Sequence, residues 1–169
     1  MAKTELGQLG ETELKTTPLP LSITGRQAID VVRDLTQNAT NVFVATINAP
    51  MEIESKGRGN VVTEIDYLIE RQSIELLQRE YPTFNILSEE KGETVGSAEY
   101  TWILDPIDGT ANFAKGIPNI ATTLALTYLE EPIIGGTLDP LRDHLFFAEK
   151  DKGFTFNNKS MKFSPVENF

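Results

Sequence analysis

From Ile29 onward, apolar residues recur every three or four positions: Ile29, Val32, Leu35, Ala39 and Val42. That spacing predicts an amphipathic helix over about 25–48, ending before Pro50. Thr24 followed by Gln27 resembles a capping box at its start, and Asn38 and Thr40 weaken its middle. The stretch "KGRGN" (56–60) reads as a loop. A second helix is expected from a Thr63 cap, with Asp66 three positions on, to about Tyr81. Its apolar face is Ile65, Leu68, Ile69, Leu76 and Leu77, and Pro82 stops it.

Beyond Pro82 the period changes from helical to alternating. "TFNIL" and "YTWIL" read as strands separated by the polar loop "KGETVGSAE", and a short helix is expected from Gly109 to about Lys115. After Pro118 the pattern is a meander: "IATTLALTYL", "PIIGGTLD", "HLFFAEK" and "GFTFN", joined by "EEP", "PLRD" and "DKG". Met161 to Phe163 add a closing strand. Gly135-Gly136 marks a bulge. The fold class is therefore α+β, with two N-terminal helices packed on a mostly antiparallel sheet. Residues 1–22 read as a flexible polar tail, leaving 23–169 as one domain.

Charge and composition narrow the partners. The 169 residues are 40% hydrophobic and 24% charged, with a net charge of −10, so nucleic acid and anionic membrane surfaces are expected to be repelled. An anionic substrate would need a recruited cation. No apolar run approaches a membrane span, and the N-terminus lacks the pattern of a signal peptide. Cysteine is absent, which removes thiolate chemistry and disulfides and fits a cytoplasmic location.

The chemistry concentrates where strands end. Glu89 and Glu90 follow one strand, and Asp105 and Asp108 end another in "WILDPIDGTANF" (102–113). If the two strands run side by side in the same direction, four carboxylates converge, and their repulsion is relieved by a divalent cation such as Mg²⁺. Gly109 and Thr110 would then turn their amides outward as an anion cradle. Metal beside such a cradle points to phosphoryl hydrolysis. Each piece also has an ordinary reading. Asp-Pro and Asp-Gly are common turn formers, Glu89-Glu90 is a solvated strand end, and Thr63 with Asp66 is a helix cap. His144, the sole histidine, sits in a hairpin and reads as structural.

Taken together, these residues resemble the inositol monophosphatase family, the magnesium-dependent, lithium-sensitive phosphatases related to fructose-1,6-bisphosphatase. "WILDPIDGTANF" resembles the family signature; "VVTEID" (61–66), "ILSEE", "GIPNIATTLAL" and "EKDKGFTFNNKSMKFS" resemble further segments in the family's order, over about 25–165. The resemblance implies the N-terminal part of a layered α/β/α/β/α phosphatase fold. It implies that Glu89, Asp105 and the Ile107 carbonyl ligate one Mg²⁺, and that Asp105 and Asp108 share a second. Thr110 paired with Glu89 would orient the attacking water, Asp66 would support Thr110, and the Gly109 and Thr110 amides would hold phosphate. Glu90 and Lys56 would lie around these residues. The substrate class is a small phosphate monoester: an inositol phosphate, a sugar phosphate or a phosphorylated nucleotide.

Three departures accompany the resemblance. Family members carry a second half with a Trp-Asp motif that completes the second metal site, and no Trp-Asp pair occurs here, where Trp102 is the only tryptophan. Ser88 replaces the glycine before Glu-Glu, and Asn60-Val61 replaces the acid before Val-Thr. Two functions stay open at this point: a phosphatase, whole or as an N-terminal half, and a non-catalytic relative that binds metal, phosphate or another subunit. Either way, an apolar face left uncovered is expected to self-associate or to pair with the missing half.

Overall fold

The computed structural model describes residues 19–47, 52–57 and 60–162, with the side chains of Lys56 and Asn60 outside that description. The elements are α1 (Ala28–Thr46), β1 (Ile53–Gly57), β2 (Asn60–Thr63), α2 (Glu64–Glu80), β3 (Asn85–Ser88), β4 (Gly92–Thr94), β5 (Tyr100–Asp108), α3 (Thr110–Phe113), β6 (Ala121–Tyr128), β7 (Glu131–Asp139), β8 (His144–Glu149), β9 (Gly153–Phe156) and β10 (Lys159–Met161). The α+β architecture is as expected.

One eight-stranded sheet carries the domain, in the order β10-β9-β8-β7-β6-β5-β3-β4. Every neighbouring pair is antiparallel except β3 and β5, which run parallel with Ser88 opposite Leu104. A parallel pair needs a crossover or an intervening element, and here the small strand β4 lies between them in sequence and outside them in space.

Helices α1 and α2 cover one face of the sheet. Val31, Val32 and Leu35 of α1 and Leu77 of α2 pack on Trp102, Leu104, Leu124, Leu126 and Ile134, all 3% exposed or less. Burying each such side chain contributes about 1.5–3 kcal/mol, which makes this layer the main source of stability. The helix stripe is turned slightly from the expected one: Ala28, Val31 and Phe43 are buried, whereas Ile29 and Val42 are only partly so. Gly136 lets the helix come close, since a Cβ there would meet Val32 Cγ1 at 3.2 Å.

Several expectations need correction. Thr24 does not cap α1; Gln27 is the N-cap without a side-chain bond, and the Thr24 hydroxyl instead donates to Glu80 Oε2 at 2.5 Å. The bulge in β7 falls opposite the Leu126–Thr127 step, at Ile133, while Gly135 and Gly136 pair regularly. The region around "KGRGN" forms the β1–β2 hairpin, and residues 58–59 lie outside the described residues. The loop "KGETVGSAE" contains β4. Of the expected tail, residues 1–18 lie outside the described residues. Leu19, however, packs against the core, and Ser22 is buried, its hydroxyl accepting from the Thr24 and Arg26 amides.

Candidate active site

The parallel pairing of β3 and β5 decides where the acids go. Both strands deliver their carboxyl ends to the same edge, and the Glu89 amide donates to the Leu104 carbonyl at 3.2 Å. Glu89 therefore leaves the sheet beside Asp105, the next residue of β5. A cavity of about 220 Å³ opens there, lined by Val61, Glu89, Asp105, Ile107, Asp108, Gly109, Thr110 and Ala111. Val61, on the β1–β2 hairpin, is a contributor that the loop reading missed.

Strand β5 changes register within the signature. Asp105 faces Thr123 and Asp108 faces Ala121, so one extra residue is accommodated at Pro106-Ile107. Proline has no amide hydrogen to offer the ladder and suits a bulge. The buried Thr122 hydroxyl donates to the Pro106 carbonyl at 2.9 Å and fixes the bulge. Gly109 then turns with φ 89° and ψ 32°, and a Cβ there would come within 2.8 Å of the Asn119 carbonyl oxygen. Only glycine makes this turn without displacing backbone. Asn112 and Phe113 donate to the Gly109 carbonyl at 2.8 and 3.1 Å, starting the single turn α3.

Asp66 ties the helix layer to this turn. It lies in the first turn of α2 and is 1% exposed. Its Oδ2 accepts from the Thr63 amide at 2.8 Å and the Thr63 hydroxyl at 2.6 Å, while the Ile65 amide donates to the Thr63 hydroxyl at 3.3 Å. Its Oδ1 accepts from the Thr110 hydroxyl at 2.9 Å. One carboxylate thus closes the cap and also holds the Thr110 hydroxyl. Burial pushes the Asp66 pKa up, and the bonds from Thr63 and Thr110 pull against that shift. Thr110 also contacts the Ile107 carbonyl at 2.9 Å. The direct partners of its hydroxyl are therefore Asp66 and Ile107, where the resemblance implies Glu89.

Asp105 is the most perturbed acid of the site. Its pKa is pushed up to about 7, first by burial, then by Glu89, and further by Asp108 and Asp66. One of its carboxylate oxygens is buried with no hydrogen-bond partner among the described residues. Among the described residues no three acids or histidines stand in a ready-made metal cage. The donors nevertheless fit a hard cation: carboxylates that repel one another, an unpartnered buried oxygen and a nearby carbonyl. Asp108 and Glu89 are exposed at the rim. Glu90 is half-buried and one residue beyond the cavity lining. Lys56 belongs to β1, and its side chain lies outside the described residues. His144 is not part of the site; its ring meets Phe156 edge-on at 5.0 Å.

A second, apolar groove of about 440 Å³ runs along the sheet face that no described helix covers. It is lined by Leu87, Ile103, Leu104, Thr123 and Ala125, and it shares Ser88, Glu89 and Asp105 with the acid edge. Leu87, Ile103 and Phe146 are 44%, 39% and 46% exposed on their strands. No helix among the described residues is long and apolar enough to cross a membrane.

The helix-covered sheet, with two parallel strands that end in acids and a glycine turn, superposes on solved structures of the inositol monophosphatase fold. The sequence matches the Inositol monophosphatase family over residues 24–168, and the chain belongs to that family. It is 30% identical over 139 residues to the Nus factor SuhB of Xylella fastidiosa, covering 81% of this chain and 50% of that protein. It is 42% identical over 103 residues to inositol monophosphatase 1 of Saccharomyces cerevisiae, covering 59% of this chain and 35% of the relative. The crystal structure of the extragenic suppressor protein SuhB from Bartonella henselae superposes with a TM-score of 0.77 at 30% identity, over 81% of this chain and 54% of that one. The chain spans about half the length of the curated relatives it matches.

Proposed function

We propose that this chain carries the metal- and phosphate-binding half of a Mg²⁺-dependent hydrolase of small phosphate monoesters. The observation that carries the reading is Asp105: a buried, unpartnered carboxylate oxygen at the end of β5, held among like charges from Glu89 and Asp108. Glu89, Asp105 and the Ile107 carbonyl would hold one ion, and Asp105 with Asp108 another. Bound there, the ion supplies positive charge that polarises a phosphate and acidifies water.

The chain's own groups do the positioning. Thr110 donates its proton to Asp66 or to the Ile107 carbonyl, so its oxygen remains an acceptor facing the cavity. A water that donates to Thr110 is thereby oriented, and Glu89 on the same cavity wall accepts the proton it gives up. The Gly109 and Thr110 amides open α3, where first-turn amides have no partner within the helix, and they suit phosphate oxygens.

The reading as a non-catalytic relative draws no support from these residues, since Asp66, Glu89, Asp105, Asp108 and Thr110 are all in place. The apolar groove beside the acids supports pairing of this face with another copy or with a segment equivalent to the unmatched half of the relatives. A monomer by light scattering at micromolar concentration counts against self-association. The absence of a nucleic-acid partner rests on the charge of −10 alone; a relative that bears the name Nus factor makes an RNA-binding assay worthwhile. The deciding experiment measures phosphate release from inositol, sugar and nucleotide monophosphates. Release that needs Mg²⁺ and is lost in Asp105→Asn is expected; release unaffected by that substitution overturns the metal assignment.

A further inference from the structure

Glu70 lies one helical turn after Asp66 on α2 and is 5% exposed. Its Oε1 accepts from two consecutive amides, Glu90 at 2.9 Å and Lys91 at 3.0 Å. Those residues, with Glu89, form the three-residue connection between β3 and β4, whose ends are the paired Ser88 and Gly92. The backbone of Glu89 is therefore pinned on both sides. Its own amide is fixed to Leu104 of β5, and the next two amides are fixed to α2.

We infer that Glu70 is a positioning residue that aims the Glu89 carboxylate into the cavity it shares with Asp105. Three features carry this. A connection of Glu89, Glu90 and Lys91 contains no proline or asparagine to shape itself. A buried carboxylate is costly unless hydrogen-bonded, and Glu70 spends its bonds on this one segment. Asp66 and Glu70, four residues apart, stand on the same face of α2, about 6 Å along its axis. One grips Thr110 after β5, the other grips the connection after β3. The helix thus sets the spacing between the two lips of the site as a rigid bar.

This inference rests on the proposed function, and the test separates the two. Backbone amide exchange and Mn²⁺ binding by calorimetry are compared in the full chain and its variants. In the metal-free wild type, the Glu90 and Lys91 amides are expected to be protected. In Glu70→Ala they exchange about ten-fold faster or more, as loss of an anchoring acceptor predicts. Mn²⁺ affinity falls about ten-fold, the lower end for loss of a residue that orients a ligand. Glu70→Gln keeps an acceptor oxygen and rescues both, which a role in net charge would not allow. If Glu70→Ala does not fold, Glu70→Asp, too short to reach, is read for the same changes.

Free-peptide exchange at Glu90 and Lys91 in the wild type overturns the inference. So does wild-type Mn²⁺ affinity in a folded Glu70→Ala or Glu70→Asp while Asp105→Asn loses it, and in that case the metal reading stands. A wild type that binds no Mn²⁺ sinks the metal reading and Glu70's role with it.

Discussion

The Thr110 hydroxyl lies 2.9 Å from Asp66 Oδ1, joining the start of α2 to the turn after β5 across 44 positions of sequence. Asp66 also closes the cap on Thr63. Removing it leaves the buried Thr63 amide and hydroxyl without their acceptor and frees Thr110 from α2, so Asp66→Ala is expected to cost about 2–3 kcal/mol by urea denaturation. Thr110→Val removes the hydroxyl's contacts with Asp66 and the Ile107 carbonyl but leaves the Thr63 cap intact, and is expected to cost about 1 kcal/mol. If the two variants are equally stable, Asp66 is not the shared anchor. In a preparation that releases phosphate, Thr110→Val is expected to lower kcat by about 100-fold or more with little change in KM.

Gly109 is a second point where the backbone itself is decisive. Alanine there would have to adopt φ 89° and push against the Asn119 carbonyl oxygen at 2.8 Å. Gly109→Ala is expected to cost about 2 kcal/mol or more. Gly135→Ala, with nothing within 4 Å of the added Cβ, serves as the control and is expected to cost under about 1 kcal/mol. Equal urea midpoints for the two variants would mean that the turn relaxes freely.

Much of this arrangement was legible in the sequence, and the misses have physical causes. The alternating runs after Pro118 became β6 to β9 almost as spaced, because an antiparallel meander with one covered face writes its period directly into the chain. The closing strand expected at 161–163 is instead β10 at Lys159–Met161, with Phe163 outside the described residues. Asp105, Asp108 and Gly109 were legible because an apolar strand ended abruptly in acids and a glycine. What failed was short or long-range. The described side chains of β1 are exposed and β2 is only four residues long, so the hairpin around "KGRGN" has no strong apolar alternation. Thr24 looked like a cap but found Glu80, 56 positions away, and local pattern carries no trace of such a partner. Glu70 and Glu80 are buried acids on α2, and a hydrophobic stripe assigns acids to solvent.

Tyr81 offers a test away from the site. Its hydroxyl is buried without a partner among the described residues, and burial pushes its pKa up to about 12. The folded state holds the phenol proton more tightly than the unfolded chain, whose value is near 10. Stability from this group is therefore present below pH 10 and lost as pH rises from about 10 to 12. Tyr81→Phe removes the slope and the unmatched hydroxyl together. It is expected to leave stability at pH 7 unchanged or raised by about 1 kcal/mol, measured by urea denaturation at pH 7 and across the alkaline range. A loss of more than about 1 kcal/mol at pH 7 would mean that the hydroxyl has a partner after all.

Asp105 yields the prediction that joins fold to metal. Its folded pKa, about 7, exceeds its ordinary value of 3.8, so the folded protein binds this proton more tightly than the unfolded chain. Where the folded state binds more protons, stability falls with rising pH. The metal-free protein should accordingly lose stability from about pH 4 to about pH 7 on account of this group, then level off. Mg²⁺ reverses the penalty only once the proton has left, because cation and proton compete for the same oxygens. The shift in Tm produced by Mg²⁺ is thus expected to be larger at pH 8 than at pH 5. Asp105→Asn, neutral at every pH, is expected to flatten the pH slope and to abolish most of the Mg²⁺ shift. A Mg²⁺ shift in that variant as large as in the wild type, or a wild-type shift larger at pH 5, would place the cation elsewhere on this acidic chain.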